Sequence, residues 1–390
     1  MKRAIAILLI VLSFSIALSA SAADIISLQF SYPPIDSPSV TLLPNGYYEA
    51  VYYTPNTSDY WLDQGRNDVS NCVVEVFNAS GQSRWSFPVL RIDILQDDAD
   101  AFFYQNVVLP DQIVFEYYWD HSYERYVSKE WGFDGEQRST SFDSIKQSEE
   151  SFRYIRSQYP YTLETWPFGE EHSVPAKLTY VVDGTTVDLP FAYGVNTTFV
   201  DANERFYMLY EADDIGEGEP GVVYLLMYAP DTHELTTTRT NLTSCSGHIA
   251  ISNDTLVFLQ AKNEKVYVLH NAALNDETQE IIRFTAADAI SVLRNEVIDN
   301  IIPAGSHLLC LKGKTVDANT EAESQQSELC VLATEGKLVP VQSWDGEVRF
   351  LQNSTTSMQF VCEDGDGGYQ IVKLANEDIT NFIATSSIYP

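Results

Sequence analysis

The chain has 390 residues, 45% hydrophobic and 12% aromatic, which is enough apolar material for a large core and excludes general disorder. Its 55 acidic residues against 23 basic give a formal net charge of −32, the wrong sign for phosphate backbones and anionic membrane surfaces, so no nucleic acid is expected as a partner. Solubility of an exported protein explains such acidity, and cation binding or attraction to a basic partner is the alternative.

Residues 1–23 read as a signal peptide. Lys2 and Arg3 give the positive start, Ala4 to Leu18 is almost continuously apolar, and Ala20-Ser21-Ala22 has the small-residue pattern of a cleavage site. The apolar run of about 15 residues is short of the roughly 20 a membrane-spanning helix needs, so no stable membrane anchor is expected after cleavage. The expected location is secreted or periplasmic, with residues 24–390 as one domain.

Hairpin-like turns start near Asn78, Asp120, Asp183, Pro230, Asn271, Ala333 and Ala375, each after an apolar strand-like segment. Their mean spacing of about 50 residues is that of a repeat architecture. Asp24 to Tyr32 reads as a strand that adds to a blade edge. Around Asp120 the expected strands are Arg91–Leu95, Phe102–Asn106, Ile113–Trp119 and Arg125–Lys129. A first insertion is expected over 135–167, before the strands Ala176–Val182 and Thr186–Phe191. Around Asn271 the strands are Ile249–Ser252, Thr255–Gln260, Lys265–His270 and Gln279–Phe284. A second insertion, 285–327, combines a short amphipathic helix over Ala286–Ile298 with a polar loop over Gly313–Ser327. The last unit reads as Glu347–Leu351, Ser357–Cys362, Tyr369–Leu374 and Asp378–Ile383.

This repeated four-strand order covers nearly all of residues 24–390 and resembles the seven-bladed β-propeller superfamily as a class. The resemblance implies an all-β fold, a seven-bladed β-propeller of four-stranded antiparallel blades, with a central funnel and no particular activity. Six blades with an inserted subdomain is the alternative. There is no per-blade Gly-His and Trp-Asp pair, and Trp131-Gly132-Phe133-Asp134 resembles one unit of a bacterial WG-type repeat but occurs once.

No Gly-x-Ser-x-Gly elbow, His-Glu-x-x-His pair or Gly-rich phosphate loop occurs, and no catalytic residue is assigned. The acidic clusters Asp97, Asp98, Asp100 and Asp213, Asp214 carry the oxygen ligands that Ca²⁺ prefers, or are solvated turns; no other cofactor is expected. Tyr154, Tyr159, Tyr161, Trp166 and Phe168, in the first insertion, are the candidate ligand-binding residues, because tyrosine and tryptophan offer rigid faces with a polar handle. For the aromatic run up to Trp131, packing between blades is the expectation. Of five cysteines, Cys72, Cys310, Cys330 and Cys362 lie in apolar strand patterns and read as small buried hydrophobes; Cys310 and Cys330, on neighbouring strands of one blade, are the disulfide candidates. The leading functional reading is an exported binding module for a protein, peptide or glycan ligand. A carbohydrate-active hydrolase or lyase using funnel carboxylates and a structural envelope protein are the alternatives.

Overall fold

The structure is a computed structural model that describes residues 24–55, 70–90, 104–108, 112–119, 125–144, 154–165, 175–190, 197–212, 221–252, 254–262, 266–273, 281–286, 293–294, 298–313, 326–333, 337–364 and 367–385. The described residues form seven small sheets whose long strands follow one another as antiparallel meanders, and the fold is a seven-bladed β-propeller.

Strand β1 (Asp24–Ser27) pairs with none of its sequence neighbours. The first blade is β2 (Ser39–Leu42), β3 (Tyr48–Pro55), β4 (Ser70–Phe77) and β5 (Ser83–Leu90); the second is β6 (Tyr104–Val108), β7 (Gln112–Trp119), β8 (Arg125–Gly132) and β9 (Gln137–Ser144). The third is β10 (Tyr154–Gln158), β11 (Tyr161–Thr165), β12 (Lys177–Tyr180) and β13 (Thr185–Asp188). In the fourth, β14 (Thr197–Val200), β15 (Phe206–Glu211), β16 (Val223–Ala229) and β17 (Glu234–Thr240) are joined by the two-residue β21 (Ile281–Ile282), parallel to β17. The fifth has three full strands, β18 (His248–Ser252), β19 (Thr255–Lys262) and β20 (Val266–Ala273), edged by the short β22 (Thr285–Ala286) and β23 (Leu293–Arg294). The sixth is β24 (Ile298–Ala304), β25 (His307–Lys312), β26 (Gln326–Leu332) and β27 (Leu338–Asp345). The seventh contains β28 (Val348–Asn353), β29 (Ser357–Glu363) and β30 (Tyr369–Ala375), and β1 is its fourth strand. The N-terminal strand therefore takes a blade edge, as expected for Asp24 to Tyr32, and protects the outer side of β30 from open pairing.

Several boundaries differ from those read in the sequence. The stretch 135–167 is not an insertion, because it supplies β9, β10 and β11. The second blade is consequently framed one strand later, and Arg91–Leu95 lies outside the described residues. Where a helix was expected over Ala286–Ile298, the described residues form the short strands β22 and β23 and the start of β24. Ile281–Ile282 joins the fourth blade instead of completing the fifth, and Asn271 lies within β20 instead of a turn. Asp378–Ile383 belongs to a helix, α1 (Asn376–Thr385): its apolar residues Ile379, Phe382 and Ile383 recur at helical spacing, and Ile379 and Ile383 are buried.

Asp and Asn side chains hold the turns. Asn78 Oδ1 accepts from the amides of Ser80 and Gln82, both at 3.0 Å; Asp183 Oδ1 accepts from Thr185 N at 2.8 Å; and Asp201 Oδ1 accepts from Asn203 N at 2.8 Å and Arg205 N at 2.9 Å. Asp364 Oδ1 accepts from Gly368 N at 2.7 Å, so part of the acidic excess is turn chemistry.

The chain divides into two compact units, one of Met1–Ile25, Thr197–Met208 and Thr238–Pro390, the other of Ile26–Asn196 and Leu209–Thr237. The first contains a core of Ile302, Leu309, Leu311, Leu329, Val331, Val348, Met358 and Phe360, closed by Ile379 and Ile383 of α1. Cys362 belongs to this core, and burial pushes its thiol up to about 12. The second unit has a core of Leu43, Val74, Val76, Ile113, Phe133 and Val181. Val73 to Phe77 is buried at every position, the pattern of a strand covered on both faces.

Candidate functional site

Of the five aromatic candidates, the structure describes the side chains of Tyr159 and Tyr161. Tyr161 on β11 is 1% exposed, with ring centroids 5.3 Å from Tyr180 and 6.0 Å from Tyr228, so it is a core residue. Tyr154 opens β10 opposite Thr165. Trp166 and Phe168 lie outside the described residues, as do Asp97, Asp98, Asp100, Asp213 and Asp214. Among the described residues no group of three or more His, Cys, Asp or Glu is arranged to hold a metal ion.

Tyr159 is half-buried in the turn between β10 and β11, and it belongs to an aromatic cluster that the sequence reading did not assemble. In a four-stranded meander the first–second and third–fourth turns lie at the same end. Tyr47 follows the first turn of blade 1, a 3₁₀ turn over Pro44–Gly46, and Trp85 is near the start of β5, after the third turn. Trp131 is the penultimate residue of β8, before the corresponding turn of blade 2, and Tyr159 occupies the first turn of blade 3. These four half-buried rings pack on Leu43, Val74, Val76, Ile113, Phe133 and Val181. The Trp85 and Trp131 rings stack with centroids 5.5 Å apart and planes 20° apart.

The backbone aims these rings. β-bulges interrupt the register between Val76 and Phe77 opposite β5 and between Glu130 and Trp131 on β8, and a bulge redirects the side chains beside it. Gly135 has φ +88°, and a Cβ there would stand 3.0 Å from Trp85 Cδ1, so Trp85 lies directly against a residue that only glycine fills without strain. In blade 3 the amide of Val181 donates to Pro160 O at 2.9 Å, tying the Tyr159 turn to the end of β12. Exposed Asp134, Glu136, Gln137 and Arg138 follow Trp131. The arrangement offers aromatic faces with polar groups beside them, suited to stacking on a sugar ring or a peptide side chain.

The titratable groups near the same unit's core serve the fold. Glu75, fully buried on β4, accepts from Tyr52 Oη at 2.6 Å, from Ser31 N at 3.0 and 3.1 Å and from Ser31 Oγ at 2.5 Å. Burial, and then the Glu75 hydrogen bond, push the Tyr52 phenol far up, so it stays a donor. Phe30 meets Tyr52 and Phe77 edge-on, at 4.9 and 5.1 Å, so the segment after β1 is pinned to blade 1 by both bonds and rings. Elsewhere, Tyr228 Oη and His233 Nδ1 lie 3.1 Å apart. The Asp183 carboxyl, held below its usual range chiefly by its bonds to Thr185, also feels His233. In the other unit His248 is shifted down by burial, and Asp299 is shifted up by burial first and by the neighbouring Glu347 charge second.

Tyr47 and Trp85 escaped the sequence reading because each stands alone among strand residues. The available signal was the Pro-Asn-Gly turn before Tyr47 and the Gly-Gln-Ser turn before Trp85.

No known protein family matches the sequence, and no curated protein matches it. Among solved structures the chain is similar to one titled "Structure of U3-55K", at 11% identity and TM-score 0.40 over 90% of this chain and 99% of that one. It is similar to the RRP9 WD40 repeats at 10% identity and TM-score 0.41, over 91% and 98%. It is also similar to the uncharacterized protein lmo1340 from Listeria monocytogenes EGD-e at 8% identity and TM-score 0.40, over 85% and 91%. The assignment to the propeller class rests on the seven sheets themselves.

Proposed function

We propose that this chain is an exported β-propeller that acts as a binding module, and that its ligand surface is the cluster of Tyr47, Trp85, Trp131 and Tyr159. The observation that carries the reading is four half-exposed rings gathered at the turn ends of three successive blades, over a buried apolar floor. Aromatic residues held rigidly by a scaffold lose little conformational freedom on binding and so dominate recognition surfaces. The net charge of −32 favours a neutral or basic ligand, a peptide or a glycan, over a nucleic acid. Export rests on Lys2, Arg3 and the apolar run that follows them.

The test is a peptide and glycan array probed with wild type, Trp131→Ala and Tyr159→Ala, each checked for native circular dichroism. Loss of signal of at least about tenfold in both folded variants is expected, the effect of removing about 1.4 kcal/mol of contact. Equal signal from all three proteins removes the cluster as the binding surface. Export is tested separately by N-terminal sequencing of the protein recovered outside the cytoplasm, with cleavage expected near Ala22 or Ala23.

A further inference from the structure

Cys310 and Cys330 stand directly opposite one another in the register of β25 and β26. Directly opposed residues of antiparallel strands have Cα atoms about 4.5 or 5.5 Å apart, and both spacings lie within the range a disulfide spans. Their side chains share a face by strand alternation. Leu309, Leu311, Leu329 and Val331 take the opposite face, in the core that α1 closes. The two cysteines are free thiols in the structure, 0% and 1% exposed, and Ile301 of β24 lies at the same level of the sheet. The other cysteines have no such opposite number: Cys72 faces Tyr53 and Val89, Cys362 faces Val348 and Gln370, and Cys245 lies outside the strands.

We propose that Cys310 and Cys330 are a cross-strand disulfide pair, oxidised while the chain folds and then sealed inside the blade. The timing follows from burial, which raises the Cys310 thiol well above its ordinary value, with the charge of Cys330 adding to the shift. Only a thiolate exchanges with a disulfide, so the reaction belongs to the chain before the strands are covered. The Cys310 thiolate attacks the disulfide of an external thiol–disulfide oxidant, breaking its S–S bond and forming a mixed disulfide. The Cys330 thiolate then attacks the Cys310 sulfur, closing the internal bond and releasing the oxidant as a dithiol. Two electrons and two protons leave the protein for the oxidant and solvent. The oxidant's presence rests on the export reading above, since oxidising compartments lie outside the cytoplasm.

The experiment is made independent of export by refolding the full-length reduced protein in a buffer of oxidised and reduced glutathione. After native circular dichroism is confirmed, the protein is alkylated in denaturant without reductant, digested and mapped by mass spectrometry. A linked Cys310–Cys330 peptide pair is expected, about 2 Da lighter than its reduced components because two hydrogens are lost. The bond is expected to survive dithiothreitol until denaturant is added. Recovery of both cysteines as alkylated peptides from folded protein overturns the proposal. So does linkage of either one to Cys72, Cys245 or Cys362. Protein recovered from outside the cytoplasm with both thiols reduced overturns the disulfide and leaves the export reading standing.

Discussion

Replacing Glu75 should release the N-terminal segment from the first blade. The carboxylate has no exposed surface and takes four donor contacts, from Tyr52 Oη, Ser31 N to each oxygen, and Ser31 Oγ. Glu75→Ala strands the hydroxyl of Tyr52, itself 1% exposed, whereas Ser31 is exposed and can turn its groups to water. An orphaned buried donor costs about 1–3 kcal/mol, and the partners of Glu75 are all neutral, so no buried charge is left behind and a loss of about 1–3 kcal/mol is expected. Glu75→Gln keeps the shape and one acceptor oxygen but turns the other into an amide N–H₂ that faces donors, so only part of the network is recovered and a loss of about 1–2 kcal/mol is expected. Ser31→Ala removes only the hydroxyl contact, at about 1 kcal/mol. Urea midpoints give the order, and hydrogen exchange gives the location: the amides of Gln29, bonded to Gly81 O at 2.9 Å, and of Ser31 should lose protection before the rest of the unit. A Glu75→Ala protein within about 0.5 kcal/mol of wild type, a change typical of an unimportant surface position, would refute the role assigned to this carboxylate.

Phe360→Ala, at a residue with no exposed surface in the core closed by α1, should cost about 3–5 kcal/mol in urea unfolding. Gly81→Ala should cost about 1–3 kcal/mol and raise exchange over residues 26–29, because at φ +80° its new Cβ would stand 2.1 Å from Ser27 O. Gly135→Ala should shift the intrinsic tryptophan emission, since the added methyl displaces Trp85 from its stack on Trp131. His248, held below its ordinary value chiefly by burial, keeps its neutral form in the folded state. The unfolded chain then protonates first, so this contribution to stability is complete above about pH 6.5 and is lost as pH falls through the lower folded value. Urea midpoints from pH 7.5 to 5 should fall less steeply for His248→Gln than for wild type.

The architecture was legible because its signals are local. Strands β29 and β30 each match the segment read from an apolar run to within one residue at the C-terminal end, and the turns at Asn78 and Asp183 are held by the side chains that marked them. The frame was harder, since a chain of similar strands can be cut into groups of four at any strand. The information that fixes the cut is the pairing of β1 with β30, separated by almost the whole sequence. Without it, Asp378–Ile383 looked like a missing fourth strand, although Ile379 and Ile383 have the spacing of one helical face. The candidate site was legible only in Tyr159. Its partners Tyr47, Trp85 and Trp131 come from other blades, and no local pattern records which turn ends meet in space.

The edge strand that completes the seventh blade is also the first of the described strands to be made. Between Asp24–Ser27 and Tyr369–Ala375 the ribosome must add nearly all of the chain, about 20–70 s of synthesis at ordinary elongation rates. For that interval β1 has no native partner, and no N-terminal fragment can acquire one. Its four residues, Asp-Ile-Ile-Ser, are few and carry a charge, which limits what else can pair with them while they wait. Completion of the seventh blade therefore reports that synthesis has reached β30, and a chain truncated before it leaves β1 without its native partner.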